Sequence, residues 1–125
     1  MTPADVKSLF ADEFGSIKDK FEVYDLPLAE VADSQAEHVW KPGVYVFWTP
    51  SHNVIRVGRA LDNARKRALM HLPADTGREM AALVDDADAR LLLFNVKDER
   101  DRHWVAAIEV FFEQHLSPKI KSPLG

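Results

Sequence analysis

The run Gly43-Val44-Tyr45-Val46-Phe47-Trp48-Thr49, answered after Pro50-Ser51-His52-Asn53 by Val54-Ile55-Arg56-Val57-Gly58, decides the fold. Its β-branched and aromatic side chains suit a pleated surface. The four intervening residues favour a turn. Together they read as a β-hairpin. Period-2 alternation sets Tyr45 and Phe47 on one face of the first strand and Val44, Val46 and Trp48 on the other. On the second strand Val54, Arg56 and Gly58 are expected to share a face, opposite Ile55 and Val57. Ten residues separate Tyr45 from Arg56, and both are expected on one sheet face.

Working downstream, Asp62 or Asn63 caps a helix expected to reach about Leu72, where Pro73 stops it. Ala64, Ala68 and Leu72 form its apolar stripe, and Asn63, Arg67 and His71 an adjacent polar ridge. Thr76 or Asp75 is the candidate cap of a further helix through Met80, Leu83 and Val84. Arg90-Leu91-Leu92-Leu93-Phe94-Asn95-Val96 is an apolar run bounded by charge, expected as a central strand. Asp98 or Asp101 opens a last long helix ending near Leu116.

Upstream, Thr2-Pro3-Ala4-Asp5 predicts a helix start, with Thr as N-cap, Pro at the first helical position and an acid in the first turn. Val6, Leu9, Phe10 and Phe14 give that helix its apolar stripe, and Gly15 ends or interrupts it. Phe21 to Leu26 alternates like a strand that Pro27 confines to an edge or a stop. Residues 28–41 read as loop with a short helix. The predicted class is α+β, a small mainly antiparallel sheet flanked by helices.

The chain has 125 residues, the size of one compact domain able to bury a real core. With no cysteine it has no disulfide, thiolate-held zinc or cysteine nucleophile, which fits a reducing, cytoplasmic setting. No apolar run approaches a membrane span, and the N-terminus lacks the form of a signal peptide. The net charge of −4 argues against a nucleic-acid partner. Residues 54–72 run the other way: Arg56, Arg59, Arg65, Lys66 and Arg67 against Asp62 alone leave a formal +4. Such a patch suits a polyanion. The five histidines show no short ligand spacing, so zinc is not expected. No glycine-rich loop points to a nucleotide cofactor.

Three groups stand out chemically. Tyr45 on a buried strand is by default a core aromatic with a bonded hydroxyl. An arginine on the ridge of Arg67 and His71 can grip a phosphate with two parallel hydrogen bonds, but the same ridge is also an ordinary solvated face. On the last helix Val105, Phe112 and Leu116 form a narrow apolar stripe with Glu109 inside it. A carboxylate there needs a salt bridge, an escape to water at the helix rim, or a hard cation such as Mg²⁺. Glu113, one turn on, is expected to be solvated.

At these residues the chain resembles the GIY-YIG nuclease family. Gly43-Val44-Tyr45 stands for the first half-motif and Arg56-Val57-Gly58 for the second. The arginine helix follows as Asp62-Asn63-Ala64-Arg65-Lys66-Arg67 with His71 beyond it, and Glu109 matches the family's metal-binding glutamate. The likeness spans residues 43–121, which makes residues 1–42 an N-terminal extension. It implies a sheet of about three strands and metal-assisted hydrolysis of a DNA phosphodiester. Tyr45 would act as general base or water positioner, its pKa lowered by adjacent cations; Arg67 would stabilise the phosphoryl oxygens. His71 would assist proton transfer or phosphate binding, and Glu109 would hold one Mg²⁺ or Mn²⁺. Arg56 would bind phosphate or activate water, and Arg59, Arg65, Lys66 and Lys121 would line the DNA path. The chain departs from the family in carrying Arg56 where a second tyrosine is common, in one extra residue between Gly58 and Arg67, and in Lys121 where an asparagine is frequent.

Two functions compete: a metal-dependent DNA endonuclease, and a binding module on the same scaffold that grips nucleic acid or a protein without cutting. Residues 1–40 are the candidate surface for a homodimer or a protein partner.

Overall fold

The computed structural model describes residues 1–72 and 78–121, apart from the side chains of Arg78 and Glu79. The proposed caps Thr76 and Asp75 lie outside them. In chain order the elements are α1 (Pro3–Glu13), β1 (Phe21–Pro27), β2 (Gly43–Thr49), β3 (Asn53–Ala60), α2 (Ala64–Leu69), α3 (Arg78–Ala82), β4 (Arg90–Val96) and α4 (His103–His115), with short 3₁₀ turns between some of them. The fold is α+β. Its sheet has four strands in the order β1-β4-β2-β3, every neighbouring pair antiparallel.

The fourth strand corrects the expected count of about three. Phe21–Pro27 pairs along its whole length with β4, from Phe21 opposite Val96 to Pro27 opposite Arg90. Pro27 ends this edge strand, where a missing N–H is tolerated. The N-terminal residues thus build one side of the sheet. β4 is internal, as its uninterrupted apolar run requires.

Helices cover both sheet faces, which is why β2 and β4 are buried almost throughout instead of alternating. On one face α1 and α4 contribute Val6, Phe10, Val105, Ile108, Phe112 and Leu116 against Val44, Val46, Leu92, Phe94 and Val96. Phe94 lies 5.0 Å from both Phe10 and Phe112 between ring centroids. Burying each such ring contributes about 1.5–3 kcal/mol. On the other face Ala64, Ala68, Met80 and Leu83 pack over Tyr45, Phe47, Leu91 and Leu93. Among the described residues no helix is long and apolar enough to cross a membrane.

Several local signals act as their chemistry dictates. The Thr2 hydroxyl accepts from the Asp5 amide at 3.1 Å, while the Asp5 carboxylate accepts from the Thr2 amide at 2.8 Å, a closed capping box. Asn63, not Asp62, caps α2 by accepting from the Lys66 amide at 3.0 Å. That helix is shorter than predicted and ends at Leu69, leaving His71 in the following turn.

The hairpin holds one surprise. Phe47 faces Arg56 but Trp48 faces Val54, so Ile55 is the extra residue of a β-bulge. The bulge reverses the predicted sides of the first two residues. Val54 joins the α1/α4 core and Ile55 the opposite one, while Arg56 and Gly58 stay on the side of Tyr45. Beyond the hairpin, the amides of Lys119 and Ile120 donate to the carbonyls of Val54 and Ile55, laying the C-terminal segment along the outer edge of β3.

Candidate functional site

Crowding explains both Gly43 and Gly58. A Cβ on Gly43 would run into the Phe94 carbonyl oxygen of the neighbouring strand. A Cβ on Gly58 would collide with the outer half of the Tyr45 ring. Tyr45 and Gly58 are direct cross-strand partners, and the ring lies across the space that the glycine leaves open.

That contact fixes the phenol. Tyr45 is 2% exposed, and its ring meets Phe47 edge-on at 5.9 Å. Its hydroxyl lies 2.7 Å from Nε2 of His71. Ala64 and Ala68, both fully buried, seat α2 against the sheet so that Arg67 and the turn bearing His71 come over the tyrosine. Small side chains at those two positions are what permit so close an approach.

The electrostatics run partly against the sequence expectation. Burial pushes the Tyr45 hydroxyl above its ordinary pKa, outweighing the opposing charges of Arg67 and Arg56 and a hydrogen bond from Arg67. The lowering expected from the two arginines is therefore corrected: against them, desolvation wins. His71 moves down to about 4, first through burial and then through Arg56 and Arg67. At neutral pH the phenol holds its proton and the imidazole has none to spare. With the ring proton on Nδ1, the hydroxyl donates to Nε2.

The acidic half lies across the sheet. Arg59 pairs with Val44 and points to the α4 side, where its Nη1 sits 3.4 Å from Oε1 of Glu109. Glu109 is 4% exposed, as its place in the apolar stripe predicts. Among the described residues the buried Oε1 has no hydrogen-bond partner, so the guanidinium offers it charge without a directed bond. Burial raises the Glu109 pKa, Arg59 opposes, and Glu113 adds to the rise. Glu113 is itself buried at 7%, correcting the expectation of a solvated acid. Both carboxylates follow one line of α4 inward against β3.

Tyr45, Arg56, Arg67 and His71 are thus brought together on one face of the sheet. Glu109 sits with Arg59 on the other face, near enough for its charge to act on Tyr45. Among the described residues no three His, Asp or Glu side chains cluster as a ready-made metal cage. Glu109 and Glu113 are carboxylates of the kind a hard cation takes, but both are buried and Arg59 already faces Oε1 of Glu109.

The remaining predicted residues divide. Arg65 is tied down, its Nη1 donating to the Ser34 carbonyl at 2.8 Å. Lys66 is exposed beside Arg67 and lines a shallow depression with Asp62, Asn63 and Met70. Lys121 is exposed and next in chain to Ile120, which is bonded to β3. Sequence reasoning missed Trp40, an exposed indole under the Lys41 ammonium, and the buried Asn95 whose Nδ2 donates to the Lys41 carbonyl at 3.1 Å. A tryptophan beside a lysine just ahead of the Pro-Gly of β2 was the available signal. Compared with family models, curated proteins and solved structures, the chain has no match.

Proposed function

We propose that this chain is a metal-dependent phosphodiesterase that cuts DNA, of the GIY-YIG type. The observation that carries the reading is the convergence of Tyr45, His71, Arg56 and Arg67 around one phenol hydroxyl beside Gly58. Such a cluster on an otherwise apolar face has a cost in desolvation that a purely structural tyrosine does not require.

In this reading Tyr45 positions the attacking water and His71 takes the proton, the phenol passing one on as it receives one. An imidazole with a pKa of about 4 accepts protons poorly, but two of the three causes of its depression are the charges of Arg56 and Arg67. A bound phosphodiester offsets both charges and raises the imidazole's basicity, while the larger effect of burial stays in place. Arg67 and Arg56 hold the non-bridging oxygens as charge develops, and loss of one such donor costs roughly 10²–10³ in rate. Glu109, with Glu113 one turn away, would hold Mg²⁺ or Mn²⁺, and a cation there would supply Lewis-acid stabilisation of developing charge. Arg59, Lys66 and Lys121 would contact phosphates. The proposed setting is the cytoplasm, with DNA as partner and the outer surface of residues 1–40 available to a second copy or another protein.

Incubation of supercoiled plasmid with the purified protein tests this. Nicking should require Mg²⁺ or Mn²⁺ and be lost in Glu109→Gln and Tyr45→Phe. Nicking that survives both substitutions belongs to a contaminant and refutes the assignment. A second reading is favoured by Arg56 standing where the family commonly has a tyrosine, and by Arg59 already neutralising Glu109. It is a binding module on the same scaffold. Salt-sensitive DNA binding with no cleavage under any metal would select it.

A further inference from the structure

We propose that Trp40 is a stacking platform for an unpaired base, which makes DNA with a single-stranded stretch beside the cleavage point the preferred substrate. This rests on the reading of the chain as a DNA-binding phosphodiesterase and narrows its substrate class. Trp40 is 48% exposed although both of its neighbours are anchored. The Val39 carbonyl accepts from the Arg65 amide at 3.1 Å. The Lys41 carbonyl accepts from the Ala64 amide at 3.1 Å and from Asn95 Nδ2 at 3.1 Å. Val39 and Asn95 are fully buried. The indole therefore stands out from a brace made by the start of α2 and by β4. A mobile loop would give no such display. The other two tryptophans are partly buried, packed against the α1/α4 core.

The surroundings select the ligand. The Lys41 ammonium lies 4.7 Å from the indole centroid, so a phosphate donor comes with the aromatic face. Lys66 and Arg67 are exposed on α2, whose first amides form the brace. This is the basic stretch of an otherwise acidic chain. Aromatic faces interleaved with cations are the recurring means of gripping single strands. A duplex keeps the faces of its internal bases stacked on one another, out of reach of an indole. Trp40 is five residues from Tyr45, a span of at most about 18 Å. That is about five stacked nucleotides at roughly 3.4 Å each.

The test measures binding in EDTA, so that cleavage plays no part. Wild type, Trp40→Ala and Trp40→Phe are titrated with a thymidylate oligonucleotide, a blunt duplex of equal length, and that duplex carrying a single-stranded flap. Trp40→Ala should lose roughly 5- to 150-fold in affinity for the single strand and the flap. Trp40→Phe should retain much of it, and duplex affinity should stay unchanged. Equal effects on all three ligands, or none, overturn the platform. Binding of neither single strand nor flap by wild type also overturns it and leaves the indole to a protein contact. Trp40-dependent binding without metal-dependent cutting would sink the nuclease reading alone. Cutting with Trp40-independent binding would sink the platform alone.

Discussion

Replacing Gly58 by alanine tests the geometry at the centre of the site without presuming any activity. The added Cβ would occupy space held by Cζ, Oη and Cε2 of Tyr45. An exposed tyrosine would swing away at little cost. Here the ring is 2% exposed, edge-on to Phe47 and bonded to His71, so it yields only by disturbing a packed face. Overpacking of this kind costs about 1–3 kcal/mol. Losing the Tyr45–His71 hydrogen bond adds about 0.5–1.5 kcal/mol. A domain of 125 residues unfolds with roughly 0.26 kcal/mol per degree near its Tm, so a loss of about 2–4 kcal/mol lowers Tm by about 8–15 °C. Thermal or urea denaturation reads this directly. A double-mutant cycle makes the cause specific: in a Tyr45→Leu background the same Gly58→Ala change should cost under about 1 kcal/mol, because the outer ring is gone. A Tm loss below about 4 °C, or equal costs in the two backgrounds, would refute the claim that Gly58 exists to admit the ring.

The remaining predictions concern protons and caps. His71 has a folded pKa of about 4 against an ordinary 6.5, so it contributes stability that is fully present above pH 6.5 and is lost as the pH falls toward 4. His71→Gln removes that titration, so its Tm should fall less than that of wild type between pH 7 and pH 4.5; parallel profiles would show that the imidazole is not held neutral. Thr2→Ala opens the capping box of α1 and should cost about 1 kcal/mol, or about 4 °C, with no effect on nucleic-acid binding. An unchanged Tm would mean that the first turn of α1 is anchored by other contacts, such as the bond from the Trp48 indole N–H to the Met1 carbonyl.

What was legible in the sequence follows from which forces are local. Thr2 and Asp5 carry their cap within one helical turn, and Pro27 limits its strand wherever that strand lies. The apolar run of β4 announces burial on both faces, and Glu109 stands out because it interrupts an apolar stripe. The bulge at Ile55 was invisible, since a one-residue slip costs no change of composition yet reverses a side assignment. The burial of Glu113 depends on how α4 leans against β3, a tertiary fact. The Tyr45 pKa shows the same limit in energetic form. Counting nearby arginines predicts a fall, and only the depth of the ring in the core reverses the sign.

The Arg56-Val57-Gly58-Arg59 segment gains meaning from alternation. Arg56 turns toward Tyr45 and His71, and Arg59 toward Glu109, so one short run of the edge strand supplies a cation to each face of the sheet. Gly58 between them adds no side chain and admits the tyrosine ring. A tyrosine at position 56 would be neutral, and its loss of charge would leave His71 with Arg67 as the only arginine depressing its pKa. Arginine does the reverse: its charge adds to the burial that already holds the imidazole unprotonated. On the proposed reading, exchanging tyrosine for arginine therefore does more than delete a hydroxyl. It moves proton handling onto the Tyr45–His71 pair and ties part of that pair's basicity to occupancy by phosphate, because the two guanidinium groups that bind the anion add to the burial that chiefly suppresses the histidine.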